Sequence, residues 1–159
     1  VLFRSGGFVG ALLVYVFYVD HYRASSQNPD GILGTFCTMP AIEHKSVNFL
    51  SELIATFVLM FIIMALGTSG NTASFGGSTI NIGGIGAFPV TCLIMALGMS
   101  LGGTTGYAMN PARDLAPRIA HAILPIAGKR DSGWGYSWVP VFGPLAGAAL
   151  AAGVYLLVY

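Results

Sequence analysis

Four long apolar stretches, separated by more polar segments, set the pattern of this chain. The stretches lie at about residues 6–22, 48–68, 85–104 and 138–159. A bilayer core about 30 Å thick needs roughly 20 apolar residues in a helix that rises about 1.5 Å per residue. Because each stretch is close to that length, the pattern predicts four membrane-spanning helices.

The segments outside these stretches differ in character. Residues 23–47, connector one, are polar and contain turn signals, and residues 69–84, connector two, are typical of a flexible loop. Residues 105–137, connector three, are too long and too apolar at their start for a plain surface loop. The chain starts without an initiator methionine, so we expect a truncated chain in which residues 1–5 are non-native or unstructured.

Composition and charge favour a lipid environment. The chain is 55% hydrophobic and 8% charged, whereas soluble domains are about 25% charged. No Asp, Glu, Lys or Arg occurs from Leu53 to Ala112, and an uncharged surface of that length would aggregate in water. A net charge of +1 offers no basic face, so no nucleic acid partner is expected. Cys37 and Cys92 lack the spacing of a metal or redox site, which predicts unpaired thiols.

A helix start inside connector three is the most informative local signal. Asn110 and Pro111 are typical of the N-cap and first position of a helix. The predicted helix, 111–121, is about 16 Å long, half of a bilayer, so the segment re-enters the membrane without crossing it. Its N-terminus would present N–H groups and a positive dipole end inside the membrane, which favours neutral hydrogen-bonding solutes and repels cations. We expect residues 102–109 before it to be extended.

Three ionisable residues lie at membrane depth, where such residues are functional candidates. Arg113 could donate two parallel hydrogen bonds to a hydroxylated solute, or form an ion pair with Asp114 or bind loop carbonyls. Glu52 could be a transport carboxylate or could accept hydrogen bonds from backbone N–H groups of the re-entrant loop. The second role is favoured, because a pore for neutral solutes needs no proton carrier.

Small residues recur at four-residue spacing in two places, which lets helix backbones approach closely in lipid. We expect most of them to serve packing. They are Gly98, Gly102 and Gly106, and Gly143, Gly147 and Ala151.

The stretch from Gly106 to Asp114, which contains Asn110-Pro111-Ala112, resembles the second Asn-Pro-Ala motif of the glycerol-facilitator branch of the aquaporin superfamily. The resemblance implies an all-α integral membrane fold: a right-handed helical bundle with four spans, helices three to six of that family, and one re-entrant half-helix at 105–121. The first Asn-Pro-Ala half-helix and two helices would be missing. Family topology would place connectors one and three outside the cell, although their basic residues alone would place them in the cytoplasm.

The resemblance also implies roles for individual residues. Asn110 would donate to the solute, and Arg113 and Tyr107 would form a narrow filter. Gly98 would leave room there, which suits glycerol, whereas Tyr107 stands where many members have Phe. Asp114 and Glu52 would support selectivity. The implied pore residues are Asn110, Pro111, Ala112, Arg113, Tyr107, Gly98, Ala108 and Met109.

The sequence therefore predicts a passive channel for glycerol and related small neutral polyols, with water as a secondary permeant and no cofactor. The resemblance implies a homotetramer in the plasma or inner membrane. Three alternatives stay open: a water-selective aquaporin, a non-transporting interaction protein, and an intramembrane serine hydrolase. The last would use Ser100 of the GxSxG pattern at 98–102, although that motif needs a strand-to-helix elbow with His and acid partners.

Overall fold

The computed structural model describes residues 2–68, 72–75, 78–81 and 87–159. Outside the described residues lie Val1, positions 69–71, 76–77 and 82–84 of the expected loop, and the first two positions of the span expected at 85–104. The elements in chain order are α1 (Leu2–Phe17), α2 (Val19–Ala24), α3 (Pro29–Phe36), α4 (Lys45–Leu66), β1 (Thr72–Phe75), β2 (Ser78–Asn81), α5 (Phe88–Leu101), α6 (Pro111–Ile123) and α7 (Trp138–Val158).

The long helices follow the apolar stretches. Helices α4 and α7, with 22 and 21 residues, are long and apolar enough to cross a membrane by length and composition. Helix α5 is shorter, with 14 residues. The first stretch was expected as one span, but a turn at Tyr18 divides it into α1 and α2.

Short elements also occur in the remaining segments. Helix α1 begins at Leu2, so residues 2–5, expected to be non-native or unstructured, are helical. Connector one contains α3, which begins where the Asn28 side chain accepts a hydrogen bond from the Gly31 N–H at 3.0 Å. Connector two contains an antiparallel pair of four-residue strands, β1 and β2, in which Thr72 pairs with Asn81. Both elements are short, and short elements give weak periodic signals.

Two helix pairs form the frame. Helix α7 packs along α4, and α1 packs along α6. The α4–α7 crossing is close: a Cβ atom on Gly147 would lie 2.3 Å from the Leu53 carbonyl oxygen. On the other pair, a Cβ atom on Gly7 would lie 3.3 Å from the Ala112 carbonyl oxygen. Small residues therefore bring backbones into contact, as expected in lipid.

A buried cluster joins the shorter helices to α6. Its members come from α2, α3, α6 and the segment after α6, and Phe8 and Tyr15 of α1 pack against it. Helix α3 thus packs on α6 and brings connector one to that helix. The cluster consists of Tyr22, Ile32, Phe36, Ala120 and Ile126.

Gly147→Ala is expected to destabilise the full-length protein in detergent by about 1–3 kcal/mol, the usual range for overpacking. The added methyl group would overlap the Leu53 carbonyl and separate α4 from α7. Gly153→Ala is the matched control, because nothing lies within 4 Å of a Cβ atom there and it is on the same helix. Thermal unfolding followed by circular dichroism measures both. Equal melting temperatures for the two variants would contradict the close crossing.

Candidate functional site

The site is built on the start of α6. The Asn110 side chain caps this helix, because its Oδ1 accepts a hydrogen bond from the Ala112 N–H at 2.9 Å, and Pro111 occupies the first turn. Helix α6 has 13 residues and is about 20 Å long, too short to cross a bilayer core of about 30 Å. With Oδ1 engaged in the cap, the Asn110 Nδ2 group keeps its hydrogens free of partners within the described part of the chain.

The loop before α6 is not the extended run expected for residues 102–109. Residues 102–105 form a turn, closed by the Gly106 N–H donating to the Gly102 carbonyl at 2.9 Å. Gly106, Tyr107 and Met109 then have positive φ angles of 76°, 44° and 45°. Left-handed backbone costs a residue with a side chain on the order of 1–3 kcal/mol, so this loop persists only because other groups hold it.

Glu52 of α4 supplies that support. Its Oε1 accepts hydrogen bonds from the Ala108 N–H at 2.9 Å and the Thr105 hydroxyl at 2.6 Å. Its Oε2 accepts from the Met109 N–H at 2.8 Å. The carboxylate is 1% exposed. Two of the three hydrogen bonds come from backbone N–H groups, as expected of a carboxylate that holds the re-entrant loop, and they lie next to the strained residues.

Helix α7 leaves no free space behind Glu52. A Cβ atom on Gly143 would lie 2.8 Å from the Glu52 Cβ and 3.2 Å from the Phe49 carbonyl oxygen. The close crossing of α4 and α7 therefore also determines where the carboxylate stands relative to the loop.

Three of the expected filter residues converge beside this loop. A Cβ atom on Gly98 would lie 3.8 Å from the Tyr107 ring, and the Arg113 Cζ lies 5.9 Å from the centroid of the same ring. Gly102 is closer still, with its Cβ position 2.6 Å from the Tyr107 Cδ1. Gly98 thus lies beside the Tyr107 ring, where the resemblance placed it, and Gly102, at the C-cap of α5, accommodates the same ring although a packing role had been expected of it.

Arg113 is exposed, and no ion pair or hydrogen bond engages its guanidinium among the residues that the structure describes. The alternative of an Arg113–Asp114 ion pair is wrong. Asp114 instead binds Arg118 one turn further along α6, from Nη2 to Oδ1 at 2.8 Å and from Nε to Oδ2 at 2.9 Å. The donors of Arg113 therefore stay available.

Asp114 and Arg118 also join connector one to the site. Asp114 Oδ1 accepts from the Thr38 N–H at 2.8 Å and the Thr38 hydroxyl at 2.6 Å, and Arg118 Nη2 donates to the Thr38 carbonyl at 3.1 Å. Arg118 Nη1 donates to the carbonyls of Ser132 and Gly133 at 2.7 and 3.0 Å. Both charged side chains are at most 1% exposed. The spacing of Asp114 and Arg118 is an i, i+4 signal for a helical pair, but nothing local indicates Thr38 or Ser132.

The remaining expected pore residues lie around the same loop. Ala108 is buried, and Met109, Pro111 and Ala112 are half-buried, whereas Asn110 is exposed. The loop therefore holds some of these residues by their backbone and leaves the Asn110 amide accessible.

The other chemical candidates are not assembled into a site. Ser100 lies inside α5 and its hydroxyl donates to the Ala96 carbonyl at 2.7 Å, and no histidine among the described residues lines the cavity beside it. No group of three or more metal-ligating side chains occurs within the described ranges. Cys37 and Cys92 are free thiols, as predicted. Burial raises the pKa of the Cys37 thiol to about 12, which makes it unreactive.

An integral membrane helical protein with a re-entrant half-helix is the class that this fold and loop define. Residues 4–155 match the major intrinsic protein family, and the chain belongs to that family. It is 47% identical over 150 residues to a probable glycerol uptake facilitator protein of Thermotoga maritima, covering 94% of this chain and 59% of that protein. It is 49% identical over 153 residues to a glycerol uptake facilitator protein of Streptococcus pneumoniae, covering 96% of this chain and 61% of that one.

This chain is also similar to a solved structure. The aquaglyceroporin from Plasmodium falciparum has a TM-score of 0.74 and 28% sequence identity, and the match covers 96% of this chain and 60% of that one. The chain thus spans about three fifths of the length of the proteins it matches.

Proposed function

We propose that the protein to which this chain belongs is a passive channel for glycerol and related small neutral polyols, with water as a secondary permeant. The convergence of Arg113, Tyr107 and Gly98 carries the proposal. A small polyol can adopt a conformation with its hydroxyl groups on one side of the carbon chain and C–H groups on the other. The unpaired guanidinium of Arg113 suits the hydroxyl groups, the Tyr107 ring suits the C–H groups, and Gly98 leaves the width that a water channel would not need.

The half-helix supports a neutral permeant over an ion. Its N-terminus carries the positive end of the α6 dipole, and Arg113 adds a full positive charge beside it. Cations and protons would be repelled by both. Asn110 offers amide N–H donors at the same helix start, so a hydroxylated solute would find donors on its way past α6.

The class of solute, the membrane location and the assembly are proposed from the family. The named relatives are glycerol uptake facilitators, which supports a small neutral solute and a place in the cell membrane. Many large apolar side chains on α1, α5 and α7 are exposed within this chain, including Phe17, Met99 and Leu157. They are suited to contact lipid, other parts of the full-length protein or neighbouring copies in a homotetramer.

The test is stopped-flow light scattering on liposomes that contain the full-length protein. We expect glycerol permeability well above that of empty vesicles, with water flux also raised. Glycerol permeability equal to that of empty vesicles together with fast water flux would favour a water-selective channel instead. Ser100→Ala is the matched control for the hydrolase alternative, because a channel should keep its flux without this exposed hydroxyl.

A further inference from the structure

His121 is a buried titratable group for which the proposed channel has no use. It lies in the last turn of α6 and is 0% exposed. Its Nδ1 is 2.8 Å from the Ser132 hydroxyl, and its ring meets the ring of Phe36 edge to face at 5.3 Å between centroids. Its Nε2 is buried without a hydrogen-bond partner in the described part of the chain. The pocket therefore fits a neutral imidazole, which can leave one nitrogen unpaired.

The charges around His121 disfavour a second proton. Arg118 lies one turn earlier on α6, and the Lys129 ammonium donates to the His121 carbonyl at 2.8 Å. Two acids oppose them: Asp131, exposed in the same segment as Lys129, and Asp114, which is paired with Arg118. Tyr22 and Phe36, which come from α2 and α3, bring no charge. Burial, followed by Lys129 and Arg118, lowers the pKa of His121 below its usual range.

The partner of His121 belongs to the segment between α6 and α7, residues 124–137, named here the α6–α7 segment. His121 binds the Ser132 side chain, and Arg118 binds the Ser132 carbonyl. Arg118 in turn binds Asp114, the residue after Arg113. A change at Ser132 is therefore two contacts away from Asp114, the sequence neighbour of the residue that is proposed to select the solute.

We propose that His121 is an acid-sensitive latch, which holds the α6–α7 segment on α6 when neutral and releases it when protonated. An imidazolium would place a third cation beside Arg118 and Lys129 and would add an Nε2–H donor with no acceptor. Because the folded state favours the neutral ring, its contribution to stability is complete above about pH 6.5. The contribution decreases as the pH falls below that value, until folded His121 is itself protonated. The effect on transport rests on the proposed function.

Hydrogen–deuterium exchange of the α6–α7 segment tests the latch directly. With the full-length protein in detergent, and after correction for the intrinsic pH dependence of exchange, we expect several-fold faster exchange of residues 124–137 at pH 5 than at pH 7.5. His121→Gln stays neutral and should lose this acceleration. His21→Gln, at an exposed histidine of α2, should keep it. No acceleration in the wild type, or an equal acceleration in His121→Gln, would overturn the proposal.

Ser132→Ala keeps the proposal testable if His121→Gln does not fold. It removes the hydroxyl partner, so exchange of the segment should already be several-fold faster at pH 7.5, and unchanged exchange at that pH would overturn the latch. Glycerol flux at the two pH values gives the consequence for transport, with a several-fold lower flux expected at pH 5 only when His121 is present. Absence of flux at both pH values would sink the proposed function but not the latch, since exchange reports the latch without transport.

Discussion

Glu52→Gln is expected to lower glycerol permeability by about fivefold to a hundredfold at equal protein content in liposomes. The substitution keeps the size of the side chain but replaces one acceptor oxygen by an NH2 group. That group would face either the Met109 N–H or the pair of donors from Ala108 and Thr105. A buried donor left without an acceptor costs about 1–3 kcal/mol, and a factor of ten corresponds to about 1.4 kcal/mol.

The left-handed residues of the loop increase the expected effect. Tyr107 and Met109 keep their positive φ angles only while the hydrogen bonds beside them persist. When these bonds are lost, the loop relaxes and the Tyr107 ring leaves its place between Gly98 and Arg113.

Glu43→Gln is the control for this prediction. Glu43 is exposed, and its carboxylate lies 3.5 Å from the Lys45 ammonium, a pair that is worth little in water. The glycerol permeability of the Glu43→Gln variant should equal that of the wild type. If Glu52→Gln also kept wild-type permeability, the carboxylate would not be needed to hold the loop, and the support role would be wrong.

Asp114→Ala is expected to destabilise the protein by about 3–5 kcal/mol, since removing one partner of a buried ion pair leaves the other charge uncompensated. Arg118 would stay buried with only carbonyl acceptors, and the Thr38 N–H and hydroxyl would lose their acceptor. We expect a clearly lower unfolding temperature in detergent, or aggregation on size-exclusion chromatography.

Two further variants define what the Asp114 result means. Asp20→Ala removes one partner of the exposed pair with Arg23 and should leave the unfolding temperature within the small range typical of surface pairs. The double variant Asp114→Leu with Arg118→Met removes both buried charges and should recover part of the loss. An unfolding temperature for Asp114→Ala equal to that of Asp20→Ala would show that the buried network does not hold α6 to connector one.

Local signals explain what could be predicted from the sequence. Apolar length predicted long helices where α4 and α7 occur, and Asn110 followed by Pro111 predicted the start of α6. A single carboxylate in an apolar helix had to find hydrogen-bond donors, so the support role of Glu52 could be proposed without coordinates. Each inference depends on residues a few positions apart.

Other features had no local signal. Helix α3 and the strand pair are too short for a clear period, and Tyr107 and Met109 are not residue types that indicate left-handed backbone. An ion pair between Asp114 and its neighbour Arg113 was one of the alternatives left open by the sequence. The structure pairs Asp114 with Arg118, because positions i and i+4 share a helix face whereas adjacent positions do not. Because Asp114 pairs with Arg118, Arg113 stays without an ion pair beside Tyr107 among the residues described.

The sequence by itself determined the membrane class, the long helices and the re-entrant helix start, because apolar length and capping chemistry act within one segment. Only the tertiary structure decided which groups hold the loop. The Glu52 hydrogen bonds join residues 53 to 57 positions apart, and the Thr38–Asp114 bonds span 76 positions. Such contacts depend on how α4, α7 and connector one pack around α6; the spacing of small residues on α7 allows a close helix contact but does not specify its partner.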